Sequence, residues 1–334
     1  MVFATKLRPH LLSLSMANDY VLVTGANGFI GRALVGHLVQ KGFRVRAAVR
    51  NTETIRNPGF PGVDTIAVGN VGDATDWSAA LRGIDVVIHL AGRAHVVAET
   101  APDPLAAFRR INTDGSVSLA RQAANARRFI FVSSIGVNGN FTSDLPFSEA
   151  SPTLPHDPYA ISKFEAEQQL TSLSDDTGLE LVIVRPTLVY GPHNRGNFLR
   201  LLQLVKRNWP LPFGCVQNCR SLLYVENLAS ALTLCVDHPS AIGETYLVSD
   251  AENISTPDLI VHLARQLGVP TKLLPVPTGV LRALGTLTGK SGEFERLLGS
   301  LRVDSSKIRR DLGWSQPYTM AEGLQKTADW FRNT

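Results

Sequence analysis

Short apolar runs alternate with longer amphipathic stretches from residue 20 onward. The apolar runs are YVLVTG, FRVRAAV, DVVIHLAG, RFIFVSS and LELVIVRP, and stretches such as RALVGHLVQKG and PYAISKFEAEQQL lie between them. Strands that alternate with helices of this length are typical of right-handed crossovers and of a parallel sheet covered on both faces. The pattern therefore predicts an α/β fold with a doubly wound, Rossmann-like sheet of six or more strands.

The segment GANGFIG places Gly25, Gly28 and Gly31 between the first strand and the first helix. In that position the first glycine makes a tight turn, the second lets the backbone approach a pyrophosphate, and the third lets the helix pack closely on the strand. The helix N-terminus adds unpaired N–H groups and a positive dipole end. These residues predict a dinucleotide site.

The second strand ends at Arg50, where an acidic residue would accept hydrogen bonds from the ribose of NAD. An arginine suits the additional 2′-phosphate of NADP, through charge-assisted hydrogen bonds. We therefore expect NADP(H) to be favoured as the cofactor. NAD(H) remains possible if Arg50 is a surface residue beside a non-selective pocket.

Tyr159 and Lys163 lie four residues apart on a predicted helix, and so they share one helix face. A nearby cation favours the ionised form of a phenol and lowers its pKa, so the pair is suited to moving a proton. The buried strand RFIFV ends at Ser133 and Ser134, at the sheet edge where ligands of such folds bind. A serine there can bind the substrate oxygen that the tyrosine protonates.

Taken together, these motifs resemble the extended short-chain dehydrogenase/reductase family, and within it the nucleotide-sugar epimerases and reductases. The resemblance covers residues 19–330 and includes HLAG (89–92), INTDG with Asn112, RPTLVYGP (185–192) and RSLLYVENLA (220–229). It implies that Tyr159 is the catalytic acid/base, that Lys163 is its electrostatic partner and holds the nicotinamide ribose, and that Ser134 binds the reacting oxygen.

The resemblance also implies contacts to both ligands. Besides Arg50, Tyr159 and Lys163, the cofactor contacts would come from Gly25, Asn27, Gly28, Phe29, Ile30, Gly31, Asn70, Val71, Leu90, Ala91, Gly92, Asn112 and Pro186. Asn70 and Val71 replace an expected acidic residue, so the sequence does not decide which residues form the adenine pocket. Asn197 would bind the uridine end of a UDP-sugar and Arg220 its diphosphate. Arg296 would replace a basic segment that this chain lacks, with Arg302 as the alternative.

Three reactions are open to such an enzyme: dehydration, epimerisation at C4, and reduction of a 4-keto sugar. Dehydratases that this chain resembles carry an Asp-Glu pair after the strand serine or threonine, whereas Ile135 and Gly136 stand there. Arg50 favours reduction, and the segments SSIGVNG and GNFLRLLQLVKRNWPLPFG resemble enzymes that reduce UDP-4-keto-6-deoxy-N-acetylhexosamines for bacterial surface polysaccharide synthesis. The alternative is a 4-epimerase of UDP-glucose or UDP-N-acetylglucosamine with bound NAD. A non-catalytic protein that senses NADP is the third hypothesis.

The remaining expectations concern organisation and partners. We expect residues 1–18 to be a disordered leader, residues 19–190 a dinucleotide-binding domain, and residues 191–334 a smaller, interleaved mixed α/β domain for the nucleotide sugar. The net charge of +4 is spread along the chain and predicts no nucleic-acid partner. The three cysteines, without zinc spacing, predict no metal site and suit the cytoplasm. No apolar run is long enough for a membrane helix. Resembling enzymes suggest a homodimer.

Overall fold

Seven parallel strands form the main sheet in the order β3-β2-β1-β4-β5-β6-β9. The computed structural model describes residues 19–51, 62–94, 101–194, 196–289 and 291–334, so the predicted leader lies outside the described residues. The strands of the main sheet are β1 (Tyr20–Thr24), β2 (Arg44–Val49), β3 (Asp64–Ala67), β4 (Val86–His89), β5 (Arg128–Val132), β6 (Glu180–Pro186) and β9 (Thr245–Val248). This architecture confirms the predicted Rossmann-like fold class.

Helices cover both faces of this sheet because the strand residues that point to each face are apolar. Leu22, Phe129 and Phe131 pack on one face, and Val21 and Ile130 pack on the other. The first face is covered by α2 (Ser78–Leu81), α4 (Gly115–Gln122) and α5 (Pro158–Thr177). The second face is covered by α1 (Phe29–Gln40), α7 (Val225–Leu234) and α11 (Ser306–Leu312). α3 (Pro104–Arg109) precedes a five-residue π-helical turn and α4.

A second, three-stranded mixed sheet lies in the C-terminal part of the chain. Its strands are β7 (Leu188–Tyr190), β8 (Arg220–Tyr224) and β10 (Asn253–Ile254), with β8 in the middle. The helices of this part are α6 (Asn197–Lys206), α8 (Thr256–Leu267), α9 (Thr278–Leu287), α10 (Ser291–Leu298) and α12 (Met320–Arg332). Their apolar faces form a separate core around Leu202, Leu222 and Leu263.

The chain crosses between the two parts more than once. β9 comes from the C-terminal part of the sequence and pairs in parallel with β6. The strand order reverses between β1 and β4, since β2 and β3 lie on one side of β1 and the later strands lie beyond β4. In doubly wound sheets a ligand cleft opens at such a reversal, outside the carboxyl ends of the strands.

Within the described ranges, we find no helix of the length and apolar character that a membrane crossing requires.

Candidate active site

The glycine-rich turn between β1 and α1 leaves no room for side chains. Gly25 has a φ of +66°, and a Cβ atom there would lie 3.0 Å from the backbone nitrogen of Ala91. A Cβ atom on Gly31 would lie 2.7 Å from the Cα atom of Ala26. The first glycine is therefore required by backbone conformation and the third by close packing, as the sequence predicts.

The N-terminus of α1 is suited to an anion. α1 begins after Gly28, whose backbone N–H donates to the Gly25 carbonyl at 2.9 Å, and no side chain caps the helix. Without a capping side chain, the N–H groups of the first turn are free to donate to a ligand. The cradle and the helix end together fit the pyrophosphate of a dinucleotide.

The candidate adenosine contacts lie at the ends of β2 and β3. Arg50 and Asn70 are both exposed, and the Arg50 carbonyl accepts a hydrogen bond from the backbone N–H of Gly69 at 3.1 Å. Val71 packs against α4, where a Cβ atom on Gly115 would lie 2.8 Å from Val71 Cγ1. Arg50 is thus accessible to a phosphate, and the preference for NADP over NAD stays a prediction.

A buried chain of hydrogen bonds ties the ends of β1 and β4 to α4. Thr24 Oγ1 accepts from the backbone N–H groups of Leu90 and Ala91, both at 3.1 Å, and lies 2.8 Å from His89 Nδ1. His89 Nε2 lies 3.0 Å from Ser116 Oγ, which donates to a backbone carbonyl at 2.6 Å. Complete burial, and to a smaller extent the charge of Lys163, lower the pKa of His89 to about 3. His89 is therefore a neutral structural group that holds the HLAG segment in place.

Asn112 continues this network toward α5. It lies in the π-helical turn Arg110–Asp114 and is completely buried. Its Oδ1 accepts from the backbone N–H of Arg93 at 2.7 Å, and its Nδ2 donates to the Arg93 carbonyl at 3.1 Å and to Ser162 Oγ at 3.0 Å. Asn112 therefore joins the loop after β4 to the helix that carries Tyr159 and Lys163.

The helix α5 presents Tyr159 in its first turn. Asp157 caps the helix by accepting from the backbone N–H of Ala160 at 2.8 Å, and Pro158 takes the first helical position. Burial raises the pKa of Tyr159 to about 12; the charge of Asp157 also raises it, whereas a hydrogen bond with Ser134 lowers it. Ser134 and Tyr159 thus lie together, as predicted. The expected lowering of the tyrosine pKa is not produced by the protein side chains, because burial outweighs the hydrogen bond.

Lys163 lies between the ends of β4 and β5. Its Nζ donates to the Val132 carbonyl at 2.9 Å and sits 4.4 Å from the centre of the Phe131 ring. A Cβ atom on Gly92 would lie 3.7 Å from the same Nζ and 3.0 Å from Asn112 Oδ1. Burial lowers the pKa of Lys163 to about 8, and the negative charge of Glu167 opposes this shift. The lysine is therefore held in the cleft, beside Gly92 of the HLAG segment.

The strands β5 and β6 end in hydroxyl groups that differ in their partners. Ser134 Oγ accepts from the backbone N–H of Gly136 at 3.1 Å, which orients it at the start of a short 3₁₀ turn. Ser133 Oγ and Thr187 Oγ1 are buried and have no hydrogen-bond partner within the part of the chain that the structure describes. Thr187 directly follows Pro186, a predicted cofactor contact. Buried hydroxyl groups without partners are rare in proteins, and these two can bind a polar group of a ligand.

The predicted diphosphate contacts come together beside the start of α5. Arg220 Nη1 donates to the Gly299 carbonyl at 2.9 Å, and its pKa is lowered by burial and by the charge of Arg296. Arg296, on α10, forms an ion pair with Asp157 at 3.6 Å. The alternative residue, Arg302, donates to the backbone carbonyls of Ser143 and Asp144. Arg296 is therefore the better placed of the two.

Asn197 stands apart from this group. It is the first residue of α6 and its side chain is exposed. Its role at the uridine end stays a prediction.

Two features of the site were missed by sequence reasoning. The cap formed by Asp157 had a local signal, because Asp followed by Pro is a common helix start. The hydrogen-bonded set of Thr24, His89 and Ser116 had no such signal, since its members lie 27 and 65 residues apart in the chain.

Comparison with known proteins agrees with this geometry. Residues 21–249 match the model of the NAD dependent epimerase/dehydratase family. A UDP-glucose 4-epimerase of Vibrio cholerae is 42% identical, over 93% of this chain and 95% of that protein. A dTDP-glucose 4,6-dehydratase of Neisseria meningitidis serogroup B is 30% identical, over 93% of this chain and 92% of that protein. The solved structure of Thermus thermophilus UDP-glucose 4-epimerase with NAD has a TM-score of 0.76 at 24% identity and covers 94% of this chain and 99% of that chain.

Proposed function

The chain belongs to the NAD-dependent epimerase/dehydratase family and is an enzyme, and we propose that it inverts the C4 centre of a UDP-sugar. The observation that carries this proposal is the meeting of Ser134, Tyr159 and Lys163 at the carboxyl ends of β4 and β5, beside a dinucleotide cradle. The similarity to a UDP-glucose 4-epimerase over nearly the whole chain supports the same reaction.

In this proposal the three residues divide the handling of one proton. Tyr159 removes the proton from the C4 hydroxyl group of the sugar and later returns it to the oxygen of the transient 4-keto sugar. Ser134 donates a hydrogen bond to that oxygen and so polarises it. Lys163 supplies a positive charge on the same helix face, one turn beyond Tyr159, which opposes the effect of burial on the ionised phenol. The nicotinamide group, when bound, supplies the redox chemistry at C4.

The residues beyond Ser134 argue against dehydration. Elimination of water from the sugar needs an acid and a base close to C5 and C6. Ile135 is buried, and a Cβ atom on Gly136 would already touch Ala160 Cβ and Ser134 Oγ, each at 3.4 Å. Neither position offers an acidic group, and a larger side chain at residue 136 would crowd the serine.

Reduction of a UDP-4-keto-6-deoxy-N-acetylhexosamine is the second candidate, favoured by Arg50. This exposed arginine follows β2 at the place of the ribose-binding acid and suits NADP(H), the usual cofactor of biosynthetic reductions. The same three catalytic residues would then act in one direction only. A sensor of NADP without turnover needs none of them.

One experiment distinguishes these candidates. One sample of the purified protein is denatured, and any released nucleotide is identified. A second, folded sample is incubated with UDP-glucose or UDP-N-acetylglucosamine without added cofactor, and formation of the C4 epimer is followed by proton NMR. Epimerisation with released NAD supports the first candidate. The second candidate is supported if NADPH exchanges freely, binds better than NADH and is consumed together with a 4-keto sugar. The preference for NADPH should then be lost in the Arg50→Ala variant. No turnover with either substrate class would leave the sensor.

We propose a homodimer that buries parts of α4 and α5, the helices through which resembling enzymes associate. We also propose that residues 191–334 bind the nucleotide end of the sugar, through Arg220, Arg296 and Asn197.

Light scattering of the purified protein tests the proposed homodimer. A monomer at assay concentration would contradict it.

A further inference from the structure

A buried ion pair lies one helical turn beyond Lys163. Arg185 donates to both carboxylate oxygens of Glu167, from Nε at 2.9 Å and from Nη2 at 2.5 Å. Both side chains are nearly inaccessible to solvent. Such a forked pair has well-defined geometry, but its burial costs desolvation energy that an apolar pair would avoid. Its presence beside the site therefore invites a functional explanation.

The pair contacts the elements that carry the catalytic groups. Glu167 lies on the same face of α5 as Lys163, four residues further on. Arg185 belongs to β6, and its Nη1 donates to Asn138 Oδ1 at 3.0 Å. Asn138 is completely buried and ends the 3₁₀ turn that begins after Ser134. One ion pair thus joins the helix of Tyr159 and Lys163 to the turn of Ser134.

We propose that Glu167 and Arg185 are positioning residues for catalysis: Glu167 keeps Lys163 charged, and Arg185 holds Glu167 and the Ser134 turn in register with α5. This inference rests on the proposed function only in taking Ser134, Tyr159 and Lys163 as the reacting set. It requires no particular sugar.

The charges around Lys163 support this role. The carboxylate of Glu167 opposes the lowering of the Lys163 pKa by burial. His89, from β4, also interacts electrostatically with the lysine, and Arg185, from β6, contacts Glu167. His89 is neutral, so Glu167 is the carboxylate that balances the lysine. Arg185 balances Glu167 in turn.

The decisive experiment compares two single variants whose charge effects are opposite. Glu167→Gln leaves Arg185 unbalanced, so the pKa of Lys163 should fall by about 1 unit. Arg185→Met leaves Glu167 unbalanced, so that pKa should rise by a similar amount. The pKa is read from the ¹⁵N shift of the Lys163 ammonium in lysine-labelled protein, assigned with Lys163→Arg. The alkaline limb of the kcat/KM profile should move in the same two directions.

The measured pKa separates the inference from the proposed reaction, because it requires no substrate. If the protein turned over no UDP-sugar but the two pKa shifts had opposite signs, the proposed function would fail and the electrostatic role of Glu167 would stand. Shifts of the same sign, or none, would overturn the inference even in an active epimerase.

Further variants cover the case in which a single variant fails to fold. The double variant Glu167→Gln/Arg185→Met removes both charges and should restore the Lys163 pKa to near its original value. Arg185→Lys keeps the charge but loses the forked contact, so kcat should fall several-fold while the pH profile stays in place. An unchanged kcat in this variant would refute the role of Arg185 in holding the turn.

The chain offers a matched control on the same helix. Glu165 pairs with Arg109 in an exposed ion pair at 2.5 Å, two residues from Lys163. Because solvent screens exposed charges, Glu165→Gln should leave the Lys163 pKa and kcat unchanged. An equal shift in this control would show that the effect is not specific to the buried pair.

Discussion

The two edges of the seven-stranded sheet carry similar residues in different states. At the amino edge, where the strands begin, charged groups are paired: Arg46 with Asp64 at 2.6 Å, Arg127 with Asp19 at 2.6 Å and Arg128 with Glu180 at 2.8 Å. Arg128 is also buried and donates to the backbone carbonyls of Cys235, Val236 and His238. This edge holds the strands together and leaves little for a ligand.

The carboxyl edge, where the strands end, holds groups whose protonation is perturbed. The pKa of Tyr159 is raised to about 12, that of Lys163 is lowered to about 8, and two buried hydroxyl groups have no partner among the described residues. Perturbed and unsatisfied groups cost stability and concentrate at functional sites. The amino edge therefore stabilises the fold, whereas the groups at the carboxyl edge lower stability and are suited to catalysis.

The largest expected effect is the loss of turnover in Tyr159→Phe. Removing the phenolic hydroxyl group deletes the proposed acid/base, so kcat should fall by about 10²- to 10⁴-fold. Cofactor affinity and the free energy of unfolding should stay near their original values, because the aromatic ring remains. Steady-state kinetics and fluorescence titration with the cofactor measure both. A large loss of cofactor binding with kcat retained would contradict the assignment of Tyr159 as the acid/base.

The matching change at the amino edge is Arg128→Met. It leaves Glu180 and three backbone carbonyls without their buried donor, so the free energy of unfolding should fall by about 3–5 kcal/mol. The kcat of the folded protein should change less than twofold. Urea denaturation and kinetics test the two parts. A tenfold loss of kcat in folded protein would show that the edges are coupled.

The edges should also differ in their response to acid. Because the pKa of His89 is about 3 in the folded protein and 6.5 ordinarily, the unfolded chain binds a proton in this window that the folded protein does not. The free energy of unfolding should therefore fall as the pH drops from 6.5 toward 3, by an amount on the order of several kcal/mol. Urea denaturation at pH 7.5, 5.5 and 4.5 measures the slope.

Variants separate the two contributions to this slope. His89→Gln should flatten it, whereas Asp64→Asn at the amino edge should run parallel to the original protein above pH 4. Hydrogen bonds from Tyr20 and Arg46 lower the pKa of Asp64, so its stabilisation is lost only as the pH falls below its ordinary value of 3.8. Equal slopes for the original protein and His89→Gln would contradict the buried neutral histidine.

The smallest expected effect separates two glycines of α1. Gly31→Ala crowds Ala26 and should destabilise the protein by about 1–3 kcal/mol while weakening cofactor binding. Gly36→Ala, on the same helix with open space around it, should stabilise the protein by about 0.5–1 kcal/mol. Thermal unfolding and cofactor titration of both variants measure the difference. Similar losses in both would mean that the cradle does not require close packing.

Local patterns in the sequence determined the parallel sheet, the glycine turn and the helix with Tyr159 and Lys163. Each follows from neighbouring residues: alternating apolar runs produce buried strands, three glycines produce the turn, and a spacing of four places two side chains on one helix face. The resemblance of FIFVSSIGVNG to the family pattern favoured Ser134 over Ser133, and in the structure Ser134 forms a hydrogen bond with Tyr159.

Only the tertiary structure decided the electrostatics of the site. The pKa of Tyr159 is raised rather than lowered because burial depends on packing by Phe108 and other distant residues, which no local pattern records. Likewise Glu167 meets Arg185, and Arg296 meets Asp157, across 18 and 139 residues of chain. Local sequence specifies which groups are available; desolvation and charge contacts depend on which distant segments the fold brings around them.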